Sequence, residues 1–92
     1  MRVGAILEIK DGVCDFFGFG VLEGENIPPK NLGVRIDGQL VVKPVPQIRL
    51  DHGPLIFGCE CWWVEEEEIN ELIKGYRIRH ISVREHRRAQ RL

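Results

Sequence analysis

The chain has 92 residues, a length that fits one domain with one hydrophobic core and needs no disulfide or metal support. Its 43% hydrophobic and 29% charged residues are typical of a globular protein, and no apolar run is long enough to cross a membrane. The formal net charge of −1 does not favour a nucleic-acid-binding domain, which is usually basic. The first residues lack the pattern of a secretory signal, so we expect a cytoplasmic protein.

The N-terminal segment predicts a β-hairpin. Residues 3–9 alternate apolar side chains, as a strand does, and Asp11-Gly12 marks a tight turn before a second strand over residues 13–23. Gly18 and Gly20 lie two residues apart in that second strand. They indicate a sharp bend, or a close crossing by another backbone or a large ring.

Two further hairpins are predicted after an irregular segment. Residues 23–32 contain Pro28 and Pro29, which lack backbone donors and are typical of a loop. The next hairpin turns at Asp37-Gly38, and the third turns at residues 51–54.

Residues 55–64, LIFGCECWWV, form the most informative stretch of the sequence. In a strand, alternate side chains point to opposite faces, so Ile56, Glu60 and Trp62 share one face and Trp63 lies on the other. Both faces are therefore apolar. Such a strand lies between two layers, or its outer face is covered by another chain or a ligand.

The hydrophobic period changes after this stretch and predicts one short helix, at about residues 65–75. Its apolar stripe has helical spacing and consists of Ile69, Leu72, Ile73 and Tyr76. The four consecutive Glu residues 65–68 suit the first turn, where the helix dipole favours negative charge. A last strand over 77–83 and a frayed or helical tail complete the chain.

The predicted fold class is therefore mainly β, at the margin of α+β. We expect five or six antiparallel strands in a small barrel or roll, with the helix before the last strand. The segments GFGVLEG at 18–24 and IRLDHGPLIFG at 48–58, followed by the helical turn, resemble the SH3-like small barrels. That resemblance covers residues 3–84 and implies the fold alone. We expect a single barrel domain over residues 1–84, with residues 85–92 as a basic C-terminal tail.

A contact surface is predicted around Trp62. Tryptophan is common in interface hot spots and ligand pockets. The predicted binding residues are Trp62, Glu60, Ile56, Phe16, Pro28 and Pro29. Either the helix or the proline loop of the same chain covers Trp62, or a second copy does, since a chain this small often completes its burial by oligomerising.

The C-terminal end of the chain has a net positive charge. Residues 77–92 have a formal charge of +5, whereas residues 1–76 have −6, so the two parts should attract each other. The arginines of the tail are possible phosphate contacts, because cationic side chains give sequence-independent affinity for nucleic acid. They are Arg84, Arg87, Arg88 and Arg91. The alternative is a solvated tail, or one that pairs with the acidic residues 65–68.

The chain has three cysteines, and this odd number favours reduced thiols over disulfides. Cys59 and Cys61, with Cys14 or His52, offer donors for zinc, but their spacing is not that of structural zinc sites. His52 beside Asp51 also offers a base for a thiol nucleophile. The simpler interpretation is that the cysteines are buried hydrophobic side chains and that residues 51–54 are a turn.

The sequence thus predicts a non-enzymatic protein-binding or self-assembling module, without metal or cofactor. The expected partner is a second copy of the chain, in a dimer or tetramer, or another protein or peptide. We do not expect binding to a membrane. A nucleic-acid-associated small barrel is the alternative, and a thiol- or metal-dependent enzyme is the third hypothesis.

Overall fold

The computed structural model describes residues 1–28, 35–36, 38–40 and 43–90. Eight strands and two helices lie within these ranges. In chain order they are β1 Arg2–Lys10, β2 Val13–Asn26, β3 Arg35–Ile36, β4 Gln39–Leu40, β5 Val45–Leu50, β6 Leu55–Phe57, β7 Trp62–Glu65, α1 Glu66–Leu72, β8 Arg77–His80 and α2 Val83–Gln90. The hairpin expected at Asp37-Gly38 is represented by the short β3–β4 ladder, and Asp37 itself lies outside the described residues.

The main sheet has six strands in the order β6-β5-β2-β1-β7, with β8 also paired to β2. All pairs are antiparallel except the parallel pair of β2 with β8. The fold is therefore mainly β, as the alternation in the sequence predicts. The edge strands β6 and β7 share no ladder in the part of the chain described here, so the sheet is open and the predicted closed barrel is not formed.

Strand β2 bends where its glycines predict. Gly18 has φ +132°, and the register against β1 shifts beside it. Phe17 joins the core between sheet and C-terminal helix, whereas Phe16 and Phe19 pack edge to face with their ring centroids 5.0 Å apart. At Gly20 a Cβ atom would lie 2.3 Å from the backbone oxygen of Arg49, which confirms a close crossing by another backbone.

The buried side chains fall into two clusters because both faces of the sheet are covered. One cluster gathers Val3, Ala5, Phe17, Ile48, Leu50, Ile56 and Val83. The other gathers Ile6, Cys14, Phe16 and Ile69. Since Ile69 belongs to α1 and Val83 to α2, each helix contributes to one cluster.

Helix α1 is shorter than the sequence predicts. It spans Glu66–Leu72, and Ile69 is its only buried residue. Glu65 stands at its N-cap without a side-chain capping bond, in agreement with the absence of a capping residue in the sequence. In the described ranges no helix is long and apolar enough to cross a membrane.

Most of the expected basic tail is a second helix that packs on the sheet. Val83, in its first turn, is only 4% exposed. His86 places its ring 5.6 Å from that of Phe17, in an edge-to-face contact. Helix α2 is therefore a part of the folded unit and not a solvated appendage.

Candidate functional site

Residues 55–64 form two strands and not the single strand that their sequence predicts. Strand β6 ends at Phe57, the chain turns through residues 58–61, and β7 begins at Trp62. The backbone N–H of Gly58 donates to the carbonyl oxygen of Pro46 at 2.7 Å, and Glu60 N–H donates to Phe57 O at 2.8 Å. The first bond extends the pairing of β6 with β5 and the second closes the turn, and β6 and β7 lie at opposite ends of the sheet order.

Glu60 is the centre of a nearly buried ion pair that fixes this turn. Its carboxylate accepts bonds from Arg87 Nε at 2.7 Å and Arg87 Nη2 at 2.8 Å, and from the backbone N–H of Phe57 at 2.8 Å. Arg87 Nη2 also donates to the carbonyl oxygen of Leu55 at 2.8 Å. The side chains of Glu60 and Arg87 are only 6% and 16% exposed, so Glu60 joins helix α2 to the turn and its carboxylate is nearly buried.

The cysteines have the properties of packing residues. Burial raises the pKa of the Cys61 thiol to about 12, and it raises the pKa values of Cys59 and Cys14 as well. The Cys61 thiol lies 3.6 Å from the carbonyl oxygen of Phe57, to which it donates. A raised pKa disfavours the thiolate, which is the form that attacks substrates and binds metals.

His52 does not face these thiols. It is exposed in the turn after β5 and lines a cavity with Phe17 and Ser82, whereas Cys59 and Cys61 line another. Within the ranges that the structure covers, no three His, Cys, Asp or Glu side chains are grouped closely enough to hold a metal ion.

Trp62 stands out from the sheet at the start of β7. Its backbone pairs with Ile6 of β1, and its side chain is 75% exposed, whereas Trp63 packs against the first core cluster. The prediction that Trp63 faces the core and Trp62 faces outward is therefore confirmed. Helix α1 does not cover Trp62, because so large an exposed fraction remains.

Two surface cavities meet at Trp62. One, of about 440 Å³, is lined by Leu7 and residues 58–63. The other, of about 400 Å³, is mostly apolar, with Glu8 as its charged residue. Its lining comprises Ile6, Glu8, Ile9, Trp62, Trp63, Val64, Ile69 and Leu72. Leu72 is itself 48% exposed, so two large apolar side chains border the same groove.

The other predicted binding residues that the structure describes do not present exposed side chains beside Trp62. Ile56 is fully buried and Phe16 is 3% exposed, and they belong to different core clusters. Pro28 is buried, and Pro29 lies outside the described residues. The face assignment of Ile56 was wrong because the strand breaks at Gly58, so its side chain and that of Trp62 do not share one face.

Of the predicted phosphate contacts, one is used inside the fold and one lies outside the described residues. Arg87 is engaged by Glu60, and Arg91 lies outside the described residues. Arg84 and Arg88 are exposed and lie four residues apart on α2. The sequence predicts attraction between the basic end and the acidic part of the chain, with residues 65–68 as possible partners, whereas the structure pairs Arg87 with Glu60.

Two features of the site were not found from the sequence. Helical spacing places Leu72 in the apolar stripe of α1, but the helix ends at Leu72 and its side chain stays 48% exposed. Leu7 and Ile9 have the pattern of ordinary strand residues, and nothing local shows where the neighbouring strand stops.

Comparison with protein-family models, with curated proteins and with solved structures gives no match to this chain. The function of this chain is therefore inferred from the geometry around Trp62.

Proposed function

We propose that this chain is a non-enzymatic protein-interaction module that associates with a second copy of itself through the surface around Trp62. One observation carries the proposal: an indole that is 75% exposed stands on a paired strand, between two cavities and beside the exposed Leu72. Tryptophan is enriched in interface hot spots, where a pocket of the partner desolvates it.

The surroundings of Trp62 support a preformed contact surface. Trp62 follows a turn that is fixed by Glu60 and Arg87, and its backbone is held in the ladder with β1. A side chain on such a support loses little conformational freedom when it binds, which favours affinity. An SH3-like topology, a cytoplasmic location and a nucleic-acid role for the Arg-rich end stay predictions.

The solution mass of Trp62→Ala tests the proposal. We expect the wild-type chain to have a mass above that of one copy in sedimentation equilibrium, and the variant to have a mass closer to one copy. Because Trp62 is mostly exposed within one chain, its removal should change the free energy of unfolding of that chain by only about 0.5 kcal/mol.

Val21→Ala is the matched control. Val21 is also an exposed apolar strand residue, at 37%, but it does not line either cavity beside Trp62. Its removal should leave the mass unchanged. A wild-type mass of one copy at all concentrations, or an equal mass for the wild type and Trp62→Ala, would refute self-association through this surface.

A further inference from the structure

Half of strand β1 has a neighbour on only one side. Strand β7 pairs with Val3–Ile6, and β2 continues on the other side as far as Lys10. Among the described residues no strand pairs with Leu7–Lys10 on the β7 side. The β7 ladder stops at Trp62 because the chain turns away through residues 58–61, and a cavity of about 440 Å³ is lined by Leu7 and that turn.

This open edge carries opposite charges at alternate positions. Glu8 and Lys10 are both exposed and line one surface cavity, whereas Ile9 lies between them and is half-buried. No ion pair involves Glu8 or Lys10 in the described ranges, although Glu8 is near the guanidinium of Arg79, which binds Asp15. An acidic and a basic residue two positions apart make the edge complementary to an antiparallel copy of itself.

The charges select one register for such a pair. When Ile9 faces Ile9 of the second copy, Glu8 faces Lys10 of the second copy, and Lys10 faces Glu8. A shift by two residues in either direction would bring Glu8 opposite Glu8, or Lys10 opposite Lys10. Opposite charges directly across an antiparallel pair stabilise it and like charges destabilise it, so the Ile9-centred register is favoured.

We propose that two copies of this chain join their sheets along the open edge of β1, antiparallel and centred on Ile9. This arrangement rests on the proposed self-association and specifies its geometry. An exposed edge with unpaired backbone donors and acceptors is a ready template for another strand. The contact is isologous, because the same edge serves both copies.

The same register brings the turn after β1 of the second copy close to Trp62. Lys10 is followed by the turn Asp11-Gly12, which in the second copy would lie beyond Glu8 and Leu7, toward Ile6. Ile6 is the residue opposite Trp62 in the ladder. Because Trp62 already occupies the place beside Ile6, the pairing ends where Asp11 of one copy faces Leu7 of the other, and the turn of that copy lies next to the indole.

Charge exchange tests the register. We expect Glu8→Lys and Lys10→Glu each to weaken dimerisation by roughly tenfold or more, because each variant places two like-charged pairs across the axis. The double variant Glu8→Lys/Lys10→Glu should restore the affinity of the wild type. Sedimentation equilibrium over a wide concentration range measures all four proteins, and circular dichroism checks that each is folded.

Glu25→Lys and Lys43→Glu are matched controls, since both residues are exposed and distant in sequence from β1. They should leave the dimerisation constant unchanged. If the controls weaken the dimer as much as the changes in β1, or if the double variant fails to recover, the proposed register is overturned.

A cross-link gives a second readout that does not depend on charge. Residues directly opposite in an antiparallel pair have Cα atoms about 4.5–5.5 Å apart, within the reach of a disulfide. Ile9→Cys should therefore form a covalent dimer under mild oxidation, whereas Glu8→Cys and the wild-type chain should not.

The two proposals fail differently. Dissociation by Trp62→Ala without any effect of the β1 variants would leave the contact surface and remove the strand pairing. An effect of the β1 variants, with no effect of Trp62→Ala, would leave the pairing and remove the role of Trp62. A single-copy wild type at all concentrations overturns both.

Discussion

The nearly buried carboxylate of Glu60 holds the turn at residues 58–61 and helix α2 together. It accepts two bonds from Arg87 and one from the backbone N–H of Phe57, so its negative charge is compensated where water is almost excluded. An ion pair in such a place adds little over an apolar pair of similar size, but removing one partner leaves an uncompensated charge. Glu60 and Arg87 should therefore tolerate joint replacement better than single replacement.

Arg87→Ala should lower the free energy of unfolding by about 3 kcal/mol, since Glu60 then loses its counter-charge in a buried position. Arg88→Ala is the control, because Arg88 is the next residue on α2 and is exposed; its removal should cost about 0.5 kcal/mol or less. Urea unfolding followed by circular dichroism measures both. Equal effects of the two substitutions would contradict the role given to the Glu60–Arg87 pair.

At the scale of the element, β2 is the strand on which the sheet is built. It pairs with β1 along one side, and along the other with β8 near its start and with β5 farther on. The change of partner falls between Phe16 and Gly20, where the chain bends. Gly20 lies tightly against the backbone of β5, so β2 and β5 can pair at this position only because glycine has no side chain.

Gly20→Ala should cost about 3 kcal/mol or more, because the added methyl group meets the Arg49 carbonyl oxygen and the strands must separate. Gly53→Ala is the control. Its Cβ atom would lie 3.4 Å from a Leu50 methyl group, an ordinary contact, so we expect a small change. Thermal unfolding compares the two variants, and similar melting temperatures would contradict the close crossing at Gly20.

Local patterns in the sequence predict the presence of strands and helices better than the residues at which they begin and end. Alternation gave β1 and β2, and the glycines gave the bend of β2, because both signals act over a few residues. The turn after Phe57 follows the pairing of β6 with β5, and α2 is joined to that turn by the bond of Arg87 to Glu60, 27 residues earlier. Such contacts exist only after distant segments meet, so no local period reveals them.

At the scale of the whole molecule, ion pairs join segments that are distant in the chain. Arg79 binds Asp15, Arg2 binds Asp51 and Glu66, and Arg49 binds Glu23. Hydrogen bonds from these arginines lower the pKa values of three carboxyl groups, which are those of Asp15, Glu23 and Asp51. Several parts of the fold therefore respond together to acid.

The sign of this response follows from the lowered pKa values. A carboxylate with a lower pKa in the folded state stabilises the fold above its unfolded pKa, and the contribution is lost as the pH falls through the folded value. We expect the free energy of unfolding to fall from about pH 5 to pH 2, the range that spans the unfolded pKa of Asp and Glu. Urea unfolding at a series of pH values measures it.

Asp15→Asn isolates one contribution. The variant should be less stable than the wild type near neutral pH and should approach it at low pH, where Asp15 is protonated in both states. Asp11→Asn, in the exposed turn after β1, should keep the pH dependence of the wild type. A wild-type pH profile in Asp15→Asn would contradict the role assigned to Arg79.

The position of β1 between β2 and β7 also constrains how fast the chain can fold. Strand β2 follows β1 immediately. In contrast, Val3 pairs with Glu65, and Asp15 binds Arg79, which lies 64 residues later, so these contacts form only after the later segments are present. During synthesis the first hairpin can form early, while its outer edge stays unpaired until Trp62–Glu65 leaves the ribosome. Sheets that depend on such distant pairings fold in about milliseconds to seconds. Because β7 lies in the last third of the chain, the nascent chain exposes an unpaired strand edge for most of its synthesis.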